Sequence, residues 1–180
     1  MALKKMELQL INTNLRRYTF ESPKIKKWVE AESTGKVLNL FAGKTLLDVD
    51  EVRNDIDDSM PANYHMDAVD FVKQTKQKFD TIILDPPYAY RKGMEMYNGN
   101  YSSRFKQLAD VIPSILNPNG KVISFGYHST FMGKVRGFSL IKLCVFAHGG
   151  SQHCTIAIIE QKETAIPPST KVLGILAEQL

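Results

Sequence analysis

The stretch "KFDTIILDPPY" at residues 78–88 decides the fold predicted for this chain. Its first eight residues form a continuous apolar run, which is typical of a parallel strand buried on both faces. Two prolines follow the carboxylate of Asp85 directly. Because proline lacks a backbone N–H and fixes φ near −65°, it cannot continue such a strand. We therefore predict a strand that ends at Asp85 and presents the next residues at the rim of a sheet.

Asp85, Pro86, Pro87 and Tyr88 together supply two hydrogen-bond acceptors and a flat ring. The Asp85 carboxylate can hold an N–H donor, and the stiffened prolines can aim a main-chain carbonyl outward as a second acceptor. Tyr88 adds a face for stacking. This set suits the amino group of a planar base that has been pulled out of its stack. The alternative interpretation is that the prolines only end the strand.

Strand and helix patterns alternate on both sides of this stretch, which predicts an α/β protein with a mostly parallel sheet. Strands are predicted at 36–41, 50–56, before "HMDA" (65–68), 78–85 and 121–127, and helices at 69–77 and 102–116. "NPNG" (117–120) is a stop and turn signal. The β-rich runs at 138–148 and 153–161, joined by a short glycine-containing loop, predict an antiparallel hairpin.

Composition is that of one globular domain: 180 residues, 43% hydrophobic and 23% charged. Within this single domain we expect an N-terminal basic segment and helix (1–35), a core (36–161) and a C-terminal tail (162–180). No apolar run approaches the roughly 20 residues of a membrane span. Polar residues interrupt the N-terminal run where a signal peptide would be apolar, so we expect a cytoplasmic protein. Cys144 and Cys154 lack metal-type spacing, and we expect buried, reduced thiols.

The net charge of +4 combines basic ends with an acidic middle, a pattern that indicates a polyanionic partner on one side. Five cations flank the predicted pocket and are candidates for phosphate contacts, although a single such cation is more often only a solvated surface charge. They are Arg91, Lys92, Arg104, Lys134 and Arg136.

Ligands of such sheets bind beyond the carboxyl ends of the strands. Gly43 in "NLFAGKT" (39–45) would let the backbone approach a ligand closely. A phosphate-binding P-loop is disfavoured, because Leu38 stands where that motif needs glycine. Asp50, Glu51 or Asp55 could accept hydrogen bonds from a ribose, and we prefer Asp55 because "VRND" ends the second strand.

In their order along the chain, these segments resemble the S-adenosylmethionine-dependent amino-methyltransferases of the Rossmann-like class, in particular DNA adenine-N6 methyltransferases. "DPPY" is similar to the catalytic motif of that family and "VLNLFAG" (37–43) to its cofactor loop. "MDAVDF" (66–71) resembles the segment that contacts the cofactor adenine, and "KVISFGY" (121–127) the strand behind the target pocket. "TFESPKIKKWV" (19–29) is similar to the motif that closes over the methionine part. The resemblance covers roughly residues 18–160.

The resemblance implies a class I methyltransferase fold with a mostly parallel seven-stranded sheet that ends in an antiparallel hairpin. It implies S-adenosyl-L-methionine as cofactor, no metal, and catalysis by residues 85–88. Tyr90 joins the five cations as a nucleic-acid contact. The implied cofactor-binding residues are Phe20, Pro23, Asn39, Phe41, Ala42, Gly43, Lys44, Asp55, Ile56, Asp67 and Ala68.

The chain departs from the family pattern at the cofactor loop. Thr45 replaces a second glycine, and only eleven residues separate Gly43 from Asp55. We therefore expect the first crossover helix to be shortened or missing. No stretch remains for a separate target-recognition domain, so target choice would come from loop 89–104, from a specificity partner or homodimer, or be weak.

Three functions stay open at this point. The first is a DNA base amino-methyltransferase, with adenine N6 ahead of cytosine N4. The second is an RNA base amino-methyltransferase acting on guanine N2 or adenine N6 of ribosomal RNA. The third is a catalytically silent subunit that keeps the fold and binds nucleic acid.

Overall fold

The computed structural model describes residues 6–86, 104–126, 129–150 and 152–163. Its strands are β1 Glu7–Asn12, β2 Val37–Asn39, β3 Glu51–Arg53, β4 Phe79–Leu84, β5 Leu116–Gly126, β6 Phe138–Ala147 and β7 Thr155–Lys162. The described α helices are α1 Pro23–Glu32, α2 Ala68–Gln74 and α3 Phe105–Val111. Short 3-10 turns span Thr19–Glu21, Ile112–Ser114 and Lys134–Arg136. None of these helices is long and apolar enough to cross a bilayer.

One seven-stranded sheet organises the chain, in the order β1-β6-β7-β5-β4-β2-β3. Strand β7 runs antiparallel to both of its neighbours, and every other adjacent pair is parallel. The predicted mostly parallel sheet and its β6–β7 hairpin are therefore confirmed. The hairpin does not form the edge of the sheet, because β1 pairs along the outer side of β6.

Strand β1 is a correction to the sequence prediction, which assigned residues 1–35 to a basic segment and a helix. Glu7 pairs with Lys142 and Asn12 with Ala147, so the N-terminal segment belongs to the sheet. Its side chains are arranged in the reverse of the usual edge-strand pattern, with a polar residue facing inward and apolar residues facing outward. The Trp28 Nε1 donates to Gln9 Oε1 at 2.6 Å on the helix side, whereas Leu8 faces outward and is 66% exposed.

The first crossover carries no helix between β2 and β3, as expected from the short spacing. The predicted third strand, in contrast, is wrong: it is reduced to one parallel bridge between Asn54 and Tyr64. The Asn54 Nδ2 donates to the Met66 carbonyl at 3.0 Å, so a side chain takes the backbone acceptor that a longer ladder would need. The chain then enters α2 directly, with Asp67 as its N-cap.

The "NPNG" segment is also placed differently from the prediction. It lies within β5 as an irregularity, because the β4–β5 register jumps from Phe79–Leu116 to Thr81–Lys121. Asn119 adopts a positive φ of 60° there. The strand therefore begins before the turn signal and resumes after it.

Each face of the sheet has its own apolar core. On one face, α1 packs through Trp28, whose ring makes edge-on contacts with Phe125 at 6.1 Å and Phe146 at 5.5 Å. On the other face, α2 and α3 bury residues such as Phe71 and Leu108 against β4 and β5. The two layers fix the positions of the strand ends, where the candidate site lies.

The two cysteines differ in environment. Cys144 is fully buried on β6, whereas Cys154 is exposed, which corrects the expectation that both thiols are buried. Burial raises the pKa of the Cys144 thiol to about 11, so at neutral pH it stays protonated and unreactive.

A thiol titration with Ellman's reagent at pH 8 is expected to modify one thiol of the native chain quickly. The second thiol, that of Cys144, should react only after a denaturant has been added and the chain has unfolded, because Cys144 is buried. The Cys154→Ser variant should lose the fast phase and keep the slow one. Two equally fast thiols in the native protein would contradict this arrangement.

Candidate active site

Strands β2, β3, β4 and β5 run in parallel, so their carboxyl ends meet at one edge of the sheet, called here the carboxyl rim. The structure brings Gly43, Asp55, Asp67 and Asp85 to this rim. Asp85 follows directly after Leu84, whose partner on β5 is Ser124. Asp85 is half-buried and Pro86 is buried. Pro87 and Tyr88, which complete the predicted catalytic motif, lie outside the described residues.

Arg53 holds the loop that follows β2. Its guanidinium is buried and donates to the carbonyls of Ala42 (3.0 Å), Gly43 (2.9 Å) and Thr45 (2.9 Å). It also donates to the Pro61 carbonyl at 2.7 Å and to Glu51 Oε1 at 2.5 Å. In a helix these loop carbonyls would accept from the chain's own N–H groups. Arg53 therefore takes the place of the missing crossover helix.

A hydrogen bond between Gly43 and Asp55 also fixes this loop. The Gly43 N–H donates to Asp55 Oδ2 at 2.8 Å, and the Asp57 N–H donates to Asp55 Oδ1 at 3.0 Å. Gly43 has a φ of +56°, and a Cβ placed on it would meet no atom within 4 Å. The loop is thus fixed from behind while its front is open, which suits close approach of a ligand.

Only one of the three acids weighed for the ribose lies at the carboxyl rim. Asp50 precedes β3 at the opposite end, and Glu51 is paired with Arg53 inside the protein. Asp55 is at the rim, but it is buried and both its oxygens accept backbone N–H groups. It therefore positions the loop whether or not it also contacts a ligand.

Asp57 is a candidate that the sequence reasoning missed. It lies two residues beyond Asp55 and is half-buried. Hydrogen bonds from the Ser59 hydroxyl and the Ser59 N–H lower the pKa of its carboxyl, aided by the nearby charges of His65 and Lys44. It is thus an ionised acceptor next to the Gly43 loop. The second aspartate of "NDID" (54–57) was the available signal.

Three buried polar atoms near the strand ends have no hydrogen-bond partner among the described residues: Asn39 Oδ1, Asn54 Oδ1 and Ser124 Oγ. Asn39 is the last residue of β2, Asn54 follows β3, and Ser124 lies two residues before the end of β5. Buried polar groups are normally paired, and unpaired ones call for an explanation. They are distributed over both faces of the sheet: Asn39 pairs with Ile83 on the α1 side, whereas Ser124 pairs with Leu84 on the other side.

The segment preceding α1 contacts the Gly43 loop through Tyr18, just before the predicted motif at 19–29. The Lys44 ammonium lies 5.5 Å from the centre of the Tyr18 ring. Phe20 is buried and meets Phe125 of β5 edge-on at 5.2 Å. Pro23 is exposed and does not join this contact; it lines a separate cavity at the end of β1.

The remaining predicted cofactor residues lie in or near the Gly43 loop and at the start of α2. Phe41 is half-buried against the core, Ala42 is buried, and Ile56 is 42% exposed beside Asp55. Ala68 is the first residue of α2 and is buried.

Asp67 and Arg104 are tied to each other. Asp67 Oδ1 accepts from the N–H groups of Val69 (2.9 Å) and Asp70 (3.2 Å), which caps α2, and also from Arg104 Nη1 at 2.9 Å. Arg104 Nη2 pairs with Asp70 Oδ1 at 2.9 Å. This pair lowers the pKa of the Asp70 carboxyl and raises that of the Arg104 guanidinium. Arg104, predicted to contact phosphate, thus has two internal carboxylates as partners.

Lys134 and Arg136 do not flank the candidate site, which corrects their predicted position beside the pocket. Both residues directly precede β6, which runs parallel to β1 and begins at the amino ends of the parallel strands. They therefore lie at the opposite edge from Asp85. Arg136 pairs there with Asp110 of α3 at 2.7 Å, and Lys134 is exposed. Tyr90, Arg91 and Lys92 lie outside the described residues.

The Arg53→Met variant is expected to lower the free energy of unfolding by about 3–5 kcal/mol, because it leaves Glu51 buried without its cation. The Glu51→Gln/Arg53→Met double variant should recover part of that loss, since it removes the unpaired charge. Urea unfolding curves measure both values. A double variant less stable than Arg53→Met would contradict the pairing described here.

Comparisons with known proteins place the fold. No protein-family model matches the chain, and no curated protein sequence matches it. Among solved structures, it is similar to a methylase from Haemophilus influenzae (16% identity, TM-score 0.50), with 79% of this chain and 88% of that one covered. It is also similar to TrmN from Thermus thermophilus (15% identity, TM-score 0.58), covering 81% of this chain and half of that one.

A third similar structure is the 1,6-didemethyltoxoflavin-N1-methyltransferase of Burkholderia thailandensis, solved with S-adenosylhomocysteine bound. Its identity is 10% and its TM-score 0.54, with 77% and 76% of the two chains covered. At these identities the likeness concerns the fold. The chain has the fold of class I S-adenosylmethionine-dependent methyltransferases, as the sequence resemblance implied.

Proposed function

We propose that this protein transfers a methyl group from S-adenosylmethionine to the exocyclic amino group of a nucleic-acid base, with N6 of adenine in DNA as the primary target. The observation that carries the proposal is the position of Asp85. Asn39 of β2 pairs with Ile83 of β4, so Asp85 leaves β4 beside the loop that begins at Leu40 and contains Gly43. An acceptor for an amine thus adjoins an open glycine loop in a methyltransferase fold.

The residues at the carboxyl rim fit the proposed cofactor. The open face at Gly43 admits close approach, and Asp57 and Asp67 are carboxylates that could accept from hydroxyl or amino groups. Lys44 adds a cation that could meet a carboxylate. When bound, S-adenosylmethionine supplies an electrophilic methyl on a sulfonium.

In the proposed reaction, the chain mainly aligns the amine and excludes other orientations. The Asp85 carboxylate holds an N–H of the target amino group, and buried Pro86 keeps the backbone from folding over the site. As the nitrogen gains positive charge, a fixed carboxylate beside it stabilises the transition state more than the ground state. Asp85 is thus proposed as a catalytic residue, with Tyr88 as the platform for the base.

A methyl-transfer assay tests this function. Tritiated S-adenosylmethionine is incubated with duplex DNA, single-stranded DNA and ribosomal RNA, and the labelled nucleoside is identified after digestion. The proposal predicts N6-methyladenine in DNA. N4-methylcytosine in DNA, or labelled guanosine or adenosine from RNA, would replace the proposed target with one of the alternatives. No labelled nucleoside from any substrate would support the catalytically silent subunit.

The Asp85→Asn variant is expected to lose about 100-fold or more in kcat, because an amide is a weaker acceptor and carries no charge. Its affinity for S-adenosylmethionine, measured by calorimetry, should stay within about twofold of wild type. Asp50→Asn serves as the matched control, because Asp50 lies at the other end of the sheet and should leave both values unchanged. Full activity in Asp85→Asn would refute the role assigned to this residue.

A further inference from the structure

A cavity of about 580 Å³ lies at the carboxyl ends of β1 and β6, apart from the Gly43 loop. Its walls include Asn12, Thr13, Arg16, Lys24 and His148. Every lining residue is neutral or cationic, and none carries a carboxylate. The volume falls within the range of about 300–1,000 Å³ that is typical of ligand sites, so it can hold more than a single small ion.

The walls of this cavity are fixed by hydrogen bonds. The hydroxyls of Thr13 and Ser22 are 2.6 Å apart, and Ser22 is almost fully buried. His148 Nδ1 lies 3.3 Å from the Thr13 carbonyl, and His148 Nε2 lies 2.8 Å from Thr155 Oγ1. These contacts tie the ends of β1 and β6 to the start of β7 and to the start of α1 around a preformed space.

Two cations remain available to a ligand in this cavity. Arg16 and Lys24 make no ion pair with any carboxylate in the described part of the chain. Lys24 Nζ donates once, to the Asn12 carbonyl at 2.7 Å, and an ammonium has two further N–H donors. The cavity thus combines free positive charge with amide and hydroxyl groups, which is the chemistry that recognises phosphate.

The cavity lies at the same edge of the sheet as Asp85. Strands β4, β5, β6 and β1 all run in one direction, so β1 and β6 end at the carboxyl rim. From β4 to β6 the sheet order crosses three inter-strand steps, or about 14 Å at about 4.8 Å each. That span is roughly four stacked nucleotides at about 3.4 Å each. A nucleic-acid strand whose target base reaches Asp85 could therefore place its phosphodiester backbone at this cavity.

We propose that this cavity binds phosphodiester groups of the nucleic-acid strand that carries the target base. The proposal rests on the proposed function for the identity of that strand. Arg16 and Lys24 are thus the proposed phosphate contacts. Lys134 and Arg136, which the sequence suggested for this role, lie at the opposite end of the sheet. The N-terminal strand β1, absent from the predicted architecture, builds one wall of the site.

The test is the salt dependence of oligonucleotide binding by the Arg16→Ala/Lys24→Ala variant. Fluorescence anisotropy of a labelled DNA duplex gives the observed association constant between about 50 and 200 mM salt, a range over which phosphate contacts make the affinity fall steeply. Losing two phosphate contacts should flatten the slope of log K against log salt by about 1.8. The Lys27→Ala/Lys76→Ala variant removes the same charge from exposed sites outside the cavity and should change the slope much less.

Equal flattening in both variants would overturn the proposal, since only net charge would then matter, and so would an unchanged slope in Arg16→Ala/Lys24→Ala. The proposal also predicts a higher KM for nucleic acid with unchanged kcat and unchanged affinity for S-adenosylmethionine. A flattened slope in a protein that methylates no nucleoside would support the cavity as a phosphate site while refuting the proposed function. The two claims therefore fail separately.

Discussion

The hydrogen bonds of the buried Arg53 guanidinium are the constraint on which the candidate site depends. They hold the carbonyls of Ala42, Gly43 and Thr45 in a loop that has no helix to order it. A buried guanidinium is costly unless every donor is paired, and Arg53 meets this condition through the Pro61 carbonyl and Glu51 as well. The same group therefore joins β3, the β2 loop and the connection towards α2.

This arrangement changes how the Gly43 loop could take part in the proposed cofactor binding. In a Rossmann-like sheet, the first strand usually leads into a helix whose N-terminal amides face the ligand. Here the Gly43 amide is taken by Asp55, and the loop carbonyls are turned towards Arg53. In the proposed site, cofactor recognition would then depend on the open face of Gly43 and on side chains such as Asp57 and Lys44. The short spacing between Gly43 and Asp55 is the sequence feature that required this solution.

The sequence predicted the parts of the fold that follow from local pattern. The apolar run before Asp85, the β6–β7 hairpin and the missing crossover helix all depend on period, length and turn residues close in the chain. Strand β1 was not predicted, because Leu8 faces outward and Gln9 inward, whereas an edge strand usually turns its apolar side chains inward. The third strand was predicted wrongly, because the Asn54 side chain bonds the Met66 carbonyl that a longer strand would need as a backbone acceptor.

The site residues divide in the same way. Gly43, Asp55 and Asp85 follow predicted strands, so sequence order alone placed them at one rim. Asp67 was predicted there from a third strand that the structure reduces to one bridge, and it lies at the N-cap of α2 instead. The pairing of Arg104 with Asp67 and Asp70 joins residues more than thirty positions apart and has no local signal. Lys134 and Arg136 were misplaced for a different reason. The chain crosses the sheet after β5 before β6 begins, and composition does not show where that crossing ends.

Calorimetric titration of the wild-type protein with S-adenosylmethionine tests the central claim most directly. That claim is that a helix-free loop, fixed by Arg53 and Asp55, forms a working cofactor site at the carboxyl rim. The account predicts one binding site per chain with a Kd below about 1 mM, the upper end of ordinary enzyme substrate affinities. Absence of binding heat at millimolar cofactor, in a protein whose urea unfolding is cooperative, would contradict it.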